Sequence, residues 1–283
     1  MNIHHRYTLR NLVLAAVLTV GFGSSALAQE LALLVDLNSK EVTALGTLDG
    51  DYSGAYGIND AGQVVESSYS NTEGSHAFIT GPDGAGITNL GTLGGVGSEA
   101  RGINDVGQVI GDSGTASGQY HAFITGPDGA GMTDLGTLGG GQSRAYGIND
   151  AGQVVGYSAT ASGQGDAFIT GPDGMGMTDL GTLGGNFSYA FGIDDAGQVV
   201  GSSQRADNGQ EHAFITGPDG TGMTDLNSVL NPPTEITYVR GAYAINNDGQ
   251  LAAVSAVPEP ETYAMLLLGL GLIGFLARGR AIA

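Results

Sequence analysis

The chain has 283 residues, with 28 Asp and Glu against 9 Lys and Arg, giving a formal charge of −19 at pH 7. A body this acidic repels phosphate backbones and anionic lipid, which excludes nucleic acid as an expected partner. There is no cysteine, so stability has to come from packing and strand pairing rather than disulfides.

Residues 1–28 have the three parts of a secretory signal. Arg6 and Arg10 supply the positive start, Leu12 to Val20 form a short apolar run, and Ala26-Leu27-Ala28 is a small-residue cleavage site before Gln29. The run is well under the roughly 20 apolar residues that a membrane-spanning helix needs. Signal peptidase is therefore an expected partner, and the mature chain is expected to start at Gln29.

Beyond this leader the chain repeats. GINDAGQVV from Gly57 returns as GINDVGQVI from Gly102, GINDAGQVV from Gly147 and GIDDAGQVV from Gly192, each 45 residues after the last. A looser copy, AINNDGQL, runs from Ala244 to Leu251. The 51 glycines keep fixed places in this period, so they read as turn residues and not as a sign of disorder.

Each unit reads as four short strands. In the one that starts at Ala145, AYGI and QVVGYS are joined by Asn149-Asp150-Ala151-Gly152, where Asn opens a type I turn and Gly takes the left-handed position. DAFIT and MTDL are joined through Gly171-Pro172-Asp173-Gly174, where proline presets φ and the last glycine accepts φ > 0. Apolar residues stand side by side in QVVG and AFIT, as they do when both faces of a small sheet are covered. A four-stranded antiparallel unit of this length matches the blade of a β-propeller. The last unit has only its first two strands, and the chain start supplies LALLVDL (Leu31 to Leu37) and VTALGTL (Val42 to Leu48) in the third and fourth places. The expected fold is all-β, a propeller of five blades with the last shared between first and last strands, flanked by terminal signal helices. The alternative, an open β-solenoid, would leave those half-units as unprotected edges.

The pattern LGTLGG, S-x-A-x-G-I-N-D-x-G-Q-V-V-G and HAF, over roughly Leu31 to Val254, resembles the extracellular HAF-repeat family. That resemblance implies no particular activity. His76, His121 and His212 are matched in the third unit by Asp166, so these positions are expected to form hydrogen bonds at a strand edge or between blades, not to act as catalytic bases or metal ligands.

At the C-terminal end, Val257-Pro258-Glu259-Pro260 precedes an apolar run from Tyr263 to Ala277 and the basic residues Arg278 and Arg280. This order resembles the PEP-CTERM sorting signal of Gram-negative bacteria. The resemblance implies processing by an exosortase in the inner membrane and a link to exopolysaccharide production. The run would reach about 22 Å at 1.5 Å per residue against a hydrocarbon core of about 30 Å, short for a permanent anchor and workable for a transient one. The expected organisation is thus a signal peptide at 1–28, a repeat body at 29–256 and a sorting signal at 257–283.

Other motifs carry little. The GDSG of Gly111 to Gly114 is one variant of a repeated strand end, and the G-x-G-x-x-G of Gly269 to Gly274 lacks its βαβ context. The turn aspartates Asp60, Asp105, Asp150, Asp195 and Asp248 would suit calcium by chemistry but not by spacing, so no cofactor is expected, with calcium at these turns as the alternative. The expected function is that of a non-enzymatic exported module at the cell surface or in the extracellular matrix. It would bind exopolysaccharide through repeated loops, or serve the matrix structurally. The alternative is a glycan-active enzyme with carboxylates near the ring centre, drawing on the acids that break the repeat, Glu66, Glu99 and Asp112.

Overall fold

The computed structural model describes residues 31–47, 52–70, 74–231 and 236–256. The leader with Ala26 and Ala28, and the C-terminal residues Val257 to Pro260, Arg278 and Arg280, lie outside them, as do both expected terminal helices. Among the described residues no helix is long and apolar enough to cross a membrane.

The chain opens with a hairpin of β1 (Ala32–Val35) and β2 (Val42–Gly46). Four antiparallel units of four strands follow; the first is a sheet of its own, and single parallel bridges join the other three into one 12-stranded sheet. Unit I holds β3 (Tyr52–Ile58), β4 (Val64–Ser70), β5 (Gly74–Ile79) and β6 (Thr88–Asn89). Unit II holds β7 (Gly94–Ile103), β8 (Val109–Thr115), β9 (Tyr120–Thr125) and β10 (Met132–Asp134). Unit III holds β11 (Gly139–Ile148), β12 (Val154–Thr160), β13 (Gly165–Thr170) and β14 (Met177–Gly181). Unit IV holds β15 (Gly184–Ile193), β16 (Val199–Arg205), β17 (Glu211–Ile215) and β18 (Thr224–Asp225). A second hairpin, β19 (Tyr238–Ile245) with β20 (Leu251–Ala256), closes the described chain.

The turns form as their residues dictate. In unit III, the Asn149 N–H donates to the Gln153 carbonyl at 3.2 Å and Gly152, at φ +72°, donates back to the Asn149 carbonyl at 3.0 Å. The second turn departs from expectation in one respect: Asp83, Asp128, Asp173 and Asp219 are themselves left-handed, as well as the glycine after each. That glycine is required twice over. A Cβ on Gly174 (φ +74°) would lie 2.7 Å from Leu135 Cδ2 and 2.8 Å from Ile124 Cγ2.

Paired apolar residues on the second strands are explained by packing on both faces. Val154 packs toward unit II with Ile110, Ala122, Ile124 and Phe168. Its neighbour Val155 packs toward unit IV with Ile169, Ala190, Val199 and Phe214. Each buried phenylalanine or valine contributes on the order of 1.5 to 3 kcal/mol.

Polar side chains set the spacing between units. The Asn104 amide donates to the Asn149 carbonyl at 3.0 Å, and Gln108 Nε2 donates to Asp173 Oδ1 at 3.1 Å. The turn aspartates belong to the same ladder: the N–H groups of Asp60, Asp105 and Asp150 donate to the carboxylates of Asp105, Asp150 and Asp195, one unit on. Asn247 serves Asp195 in the same way. Among the described residues no three His, Asp or Glu side chains gather into a set that could hold a metal ion.

The end segments take the expected positions but not the expected pairing. The Ala32 N–H donates to Ser53 Oγ at 3.0 Å and Ser53 Oγ donates to the Gly46 carbonyl at 2.9 Å. Ala77, Ser98 and Gly91 make the same pair of bonds one unit later, so β1 and β2 occupy third- and fourth-strand places. However, β1–β2 and β19–β20 remain separate two-stranded sheets. Each hairpin is seated on its own neighbour, unit I at one end and unit IV at the other, and the first strands do not pair with the last.

Candidate functional site

The first strand of each unit has serine and alanine facing the core, as Ser143 and Ala145 do, both fully buried. Alternation then turns the residues between them, and the one after the alanine, away from it. At the position between Ala and Gly of A-x-G-I the units carry Tyr56, Arg101, Tyr146, Phe191 and, in the last hairpin, Tyr243. Two residues earlier stand Gly54, Glu99, Arg144, Tyr189 and Gly241. The unit-to-unit ladder brings these side chains into one continuous strip.

At its centre the strip is aromatic. Tyr146 lies 5.7 Å from Phe191 between ring centroids, and Phe191 stacks on Tyr243 at 4.9 Å. Tyr189 stacks on Tyr157, a second-strand residue, at 4.9 Å, and lies 6.1 Å from Phe191 and 5.8 Å from Phe187. Tyr56 and Tyr243 are each more than half exposed, and the others are half-buried. Burial, followed by the neighbouring Tyr157, raises the Tyr189 hydroxyl above the ordinary tyrosine range, so it stays a neutral donor.

Toward units I and II the strip becomes charged. The Arg101 guanidinium lies 5.8 Å over the Tyr146 ring. It donates to Asp112 at 2.7 Å and to Glu99 at 2.8 Å. Arg144 approaches the second Asp112 oxygen at 4.0 Å. Burial works against the charge on Arg101, but Asp112 and then Glu99 more than offset it. A cavity of about 320 Å³ continues the strip here, lined by Tyr52, Tyr56, Ser67, Ser75 and Glu99.

Of the three acids that break the repeat, Glu99 and Asp112 therefore face each other across β7 and β8 with Arg101 between them. Glu66 stands apart, fully buried on the face of β4 turned toward the first hairpin, with both oxygens unpartnered. The histidines make bonds within their own sheet: His121 Nδ1 with Asp134 at 2.9 Å, His212 Nδ1 with Asp225 at 2.8 Å. Burial acts to raise Asp225, but bonds from His212 and Asn227 hold it below its usual range. In unit III, burial and then the charge of Asp179 push Asp166 upward, since two acids meet where the other units pair unlike groups.

The architecture is that of a β-propeller. The chain is similar to the β-propeller domain of the Trilobed protease from Pyrococcus furiosus, described as having an open velcro topology, with 10% identity, a TM-score of 0.58, and coverage of 86% of this chain and 74% of that one. It is similar also to a protein assigned as TolB from Agrobacterium tumefaciens, with 14% identity, a TM-score of 0.54, and coverage of 82% and 84%. Against TolB from Acinetobacter baumannii the identity is 14% and the TM-score 0.47; 68% of this chain is covered, and it spans 47% of that protein's length. No curated protein matches the chain. Residues 256–281 match the PEP-CTERM protein-sorting motif. The motif marks the chain as an exported protein sorted by an exosortase, and its span includes Val257 to Pro260, Arg278 and Arg280.

Proposed function

We propose that this exported protein is a non-enzymatic polysaccharide-binding module of the cell surface or extracellular matrix, with the first-strand strip as its binding surface. The single observation behind this reading is the run of neighbouring rings from Tyr146 to Tyr243 on an exposed face. Because the rings stack on one another, what they offer is a rigid apolar ridge of ring edges and outer faces, against which the C–H faces of sugar rings can pack at little entropic cost. The adjoining Ser67, Ser75 and Glu99 add hydrogen-bonding groups for hydroxyls. The body takes in 29–256, with four complete blades and a fifth divided between the chain ends. Residues 1–28 are removed by signal peptidase, and the C-terminal segment is held transiently in the inner membrane. Binding lies along one strip and not at five equivalent loops, because the residues that line it differ from unit to unit. The catalytic alternative would draw on Glu99 and Asp112. Arg101 engages both, which holds them as one ion-paired cluster.

The test is sedimentation of the purified protein with the producing strain's exopolysaccharide. Replacing Tyr189 and Phe191 together by alanine should weaken binding by about tenfold or more, and, because both rings are half-buried and stack on Tyr157 and Tyr243, it should also lower the melting temperature while the protein remains folded. Equal binding by both proteins would remove the strip from the reading.

A further inference from the structure

The two hairpins at the ends of the array are complementary in strand position, one standing in first and second places and the other in third and fourth. β20 stands in the place of a second strand, with Ala252 matching Val65 of unit I through their pairing with Ala244 and Gly57. The valines and isoleucine at that place in units I to IV are fully buried or nearly so, being Val65, Ile110, Val155 and Val200. In β20, by contrast, Ala252, Ala253 and Val254 are all exposed, Val254 by 52%. β1 in turn pairs with β2 alone, and its other edge is unpaired among the described residues. In unit I the corresponding edge of β5 carries β4, with Val65 opposite Ile79 and Glu66 opposite Phe78. One period earlier, Ile79 and Phe78 correspond to Leu34 and Leu33. The register that would complete the sheet therefore sets Ala252 opposite Leu34, Ala253 opposite Leu33 and Val254 opposite Ala32.

We infer that β20 of one copy pairs with β1 of a second copy, so that the protein assembles head to tail through a blade completed between molecules. The second copy is the occupant because the chain's own β1 is fixed elsewhere. Ser53 and the core of Ala32, Leu45 and Val64 seat the first hairpin on unit I. Val239 and Ala242, packed with Val200 and Ala213, seat the second on unit IV. Between them the Asn, Asp and Gln ladder repeats the same bonds at each step. With both hairpins seated in this way, the two edges do not pair within one chain, and a second copy is the partner that carries the complementary edge in the matching register. The contact is heterologous, each molecule offering one edge of each kind, so assembly continues beyond a dimer unless it closes as a ring. Pairing also removes two exposed edges that would otherwise invite aggregation.

The absence of cysteine makes the test direct. In the full chain, purified in detergent, Leu33→Cys and Ala253→Cys are introduced singly and together, with Leu34→Cys and Ala252→Cys as a second set. Adjacent positions alternate between the two pair geometries of an antiparallel ladder, so one set has the closer side chains. Mixing the two single variants of that set should give disulfide-linked dimers on oxidation, and the double variant should give a ladder of multimers whose share grows with concentration. A double variant that yields only a faster-migrating monomer, with no dimer from the mixed singles, would show that the ends meet within one chain and overturn the inference. Failure of both sets to form any disulfide would overturn it equally.

Discussion

Replacing Gly156 by alanine is expected to destabilise the protein by more than about 3 kcal/mol, at the upper end of what overpacking costs. A Cβ at this position would lie 1.9 Å from the Arg144 carbonyl oxygen and 2.9 Å from Phe168 Cε1. In unit III the Arg144 carbonyl lies on a strand held by its pairing with β12 and the ring is fully buried, so one of them must shift to admit the methyl group. Gly111 and Gly201 are held in the same way, by the carbonyls of Glu99 and Tyr189. Gly163 is the matched control, since nothing lies within 4 Å of its would-be Cβ and only its φ of +81° resists a side chain. Gly163→Ala should cost about 1 to 2 kcal/mol. Urea unfolding of the two variants separates close approach from backbone conformation, and equal losses would contradict the packing described.

Unit I carries Glu66 where units II to IV carry those glycines, and this gives the second large effect. The carboxyl is fully buried, and the nearby Ser53 hydroxyl donates to the Gly46 carbonyl instead, leaving both oxygens without a partner. Burial pushes its pKa up to about 7 from an ordinary 4.5. The folded state therefore holds its proton more tightly than the unfolded state. Stability attached to this group is complete below about pH 4.5 and is lost as the pH rises through 7. The difference amounts to about 3 kcal/mol. Glu66→Gln should be more stable than the parent protein at pH 8 and should lose this part of the pH dependence. Unfolding curves that stay parallel between pH 5 and 8 would show that the carboxyl is not the cause.

The strands and turns were legible because the residues that make them recur. Asn-Asp-x-Gly and Pro-Asp-Gly each appear at a fixed phase, and the turns form where they stand. The left-handed aspartates were less visible, since a Gly two residues after the proline already accepts the positive φ of an ordinary turn. The first-strand strip was not legible for the opposite reason. It is built from the variable position of A-x-G-I, and a search for repetition passes over what varies. One signal was present: four of the five residues there, Tyr56, Tyr146, Phe191 and Tyr243, are aromatic in a chain with 11 Tyr and 8 Phe. The Arg101 cluster was also hidden, because Glu99 and Asp112 are 13 positions apart in sequence and meet only through the register of β7 with β8. Complementarity of the end hairpins could be read from the period. Whether they pair within one chain depends on the angle between blades, which the period does not encode.

In the proposed function, one continuous strip of unlike residues, and not a set of equal loops, binds the polymer. The most direct test is calorimetric titration of the protein with oligosaccharides of increasing length prepared from the matrix polysaccharide. One oligosaccharide should bind per protein molecule, with affinity that rises with length until the strip is covered and then levels off. Several equivalent sites per molecule, or affinity independent of length, would contradict it.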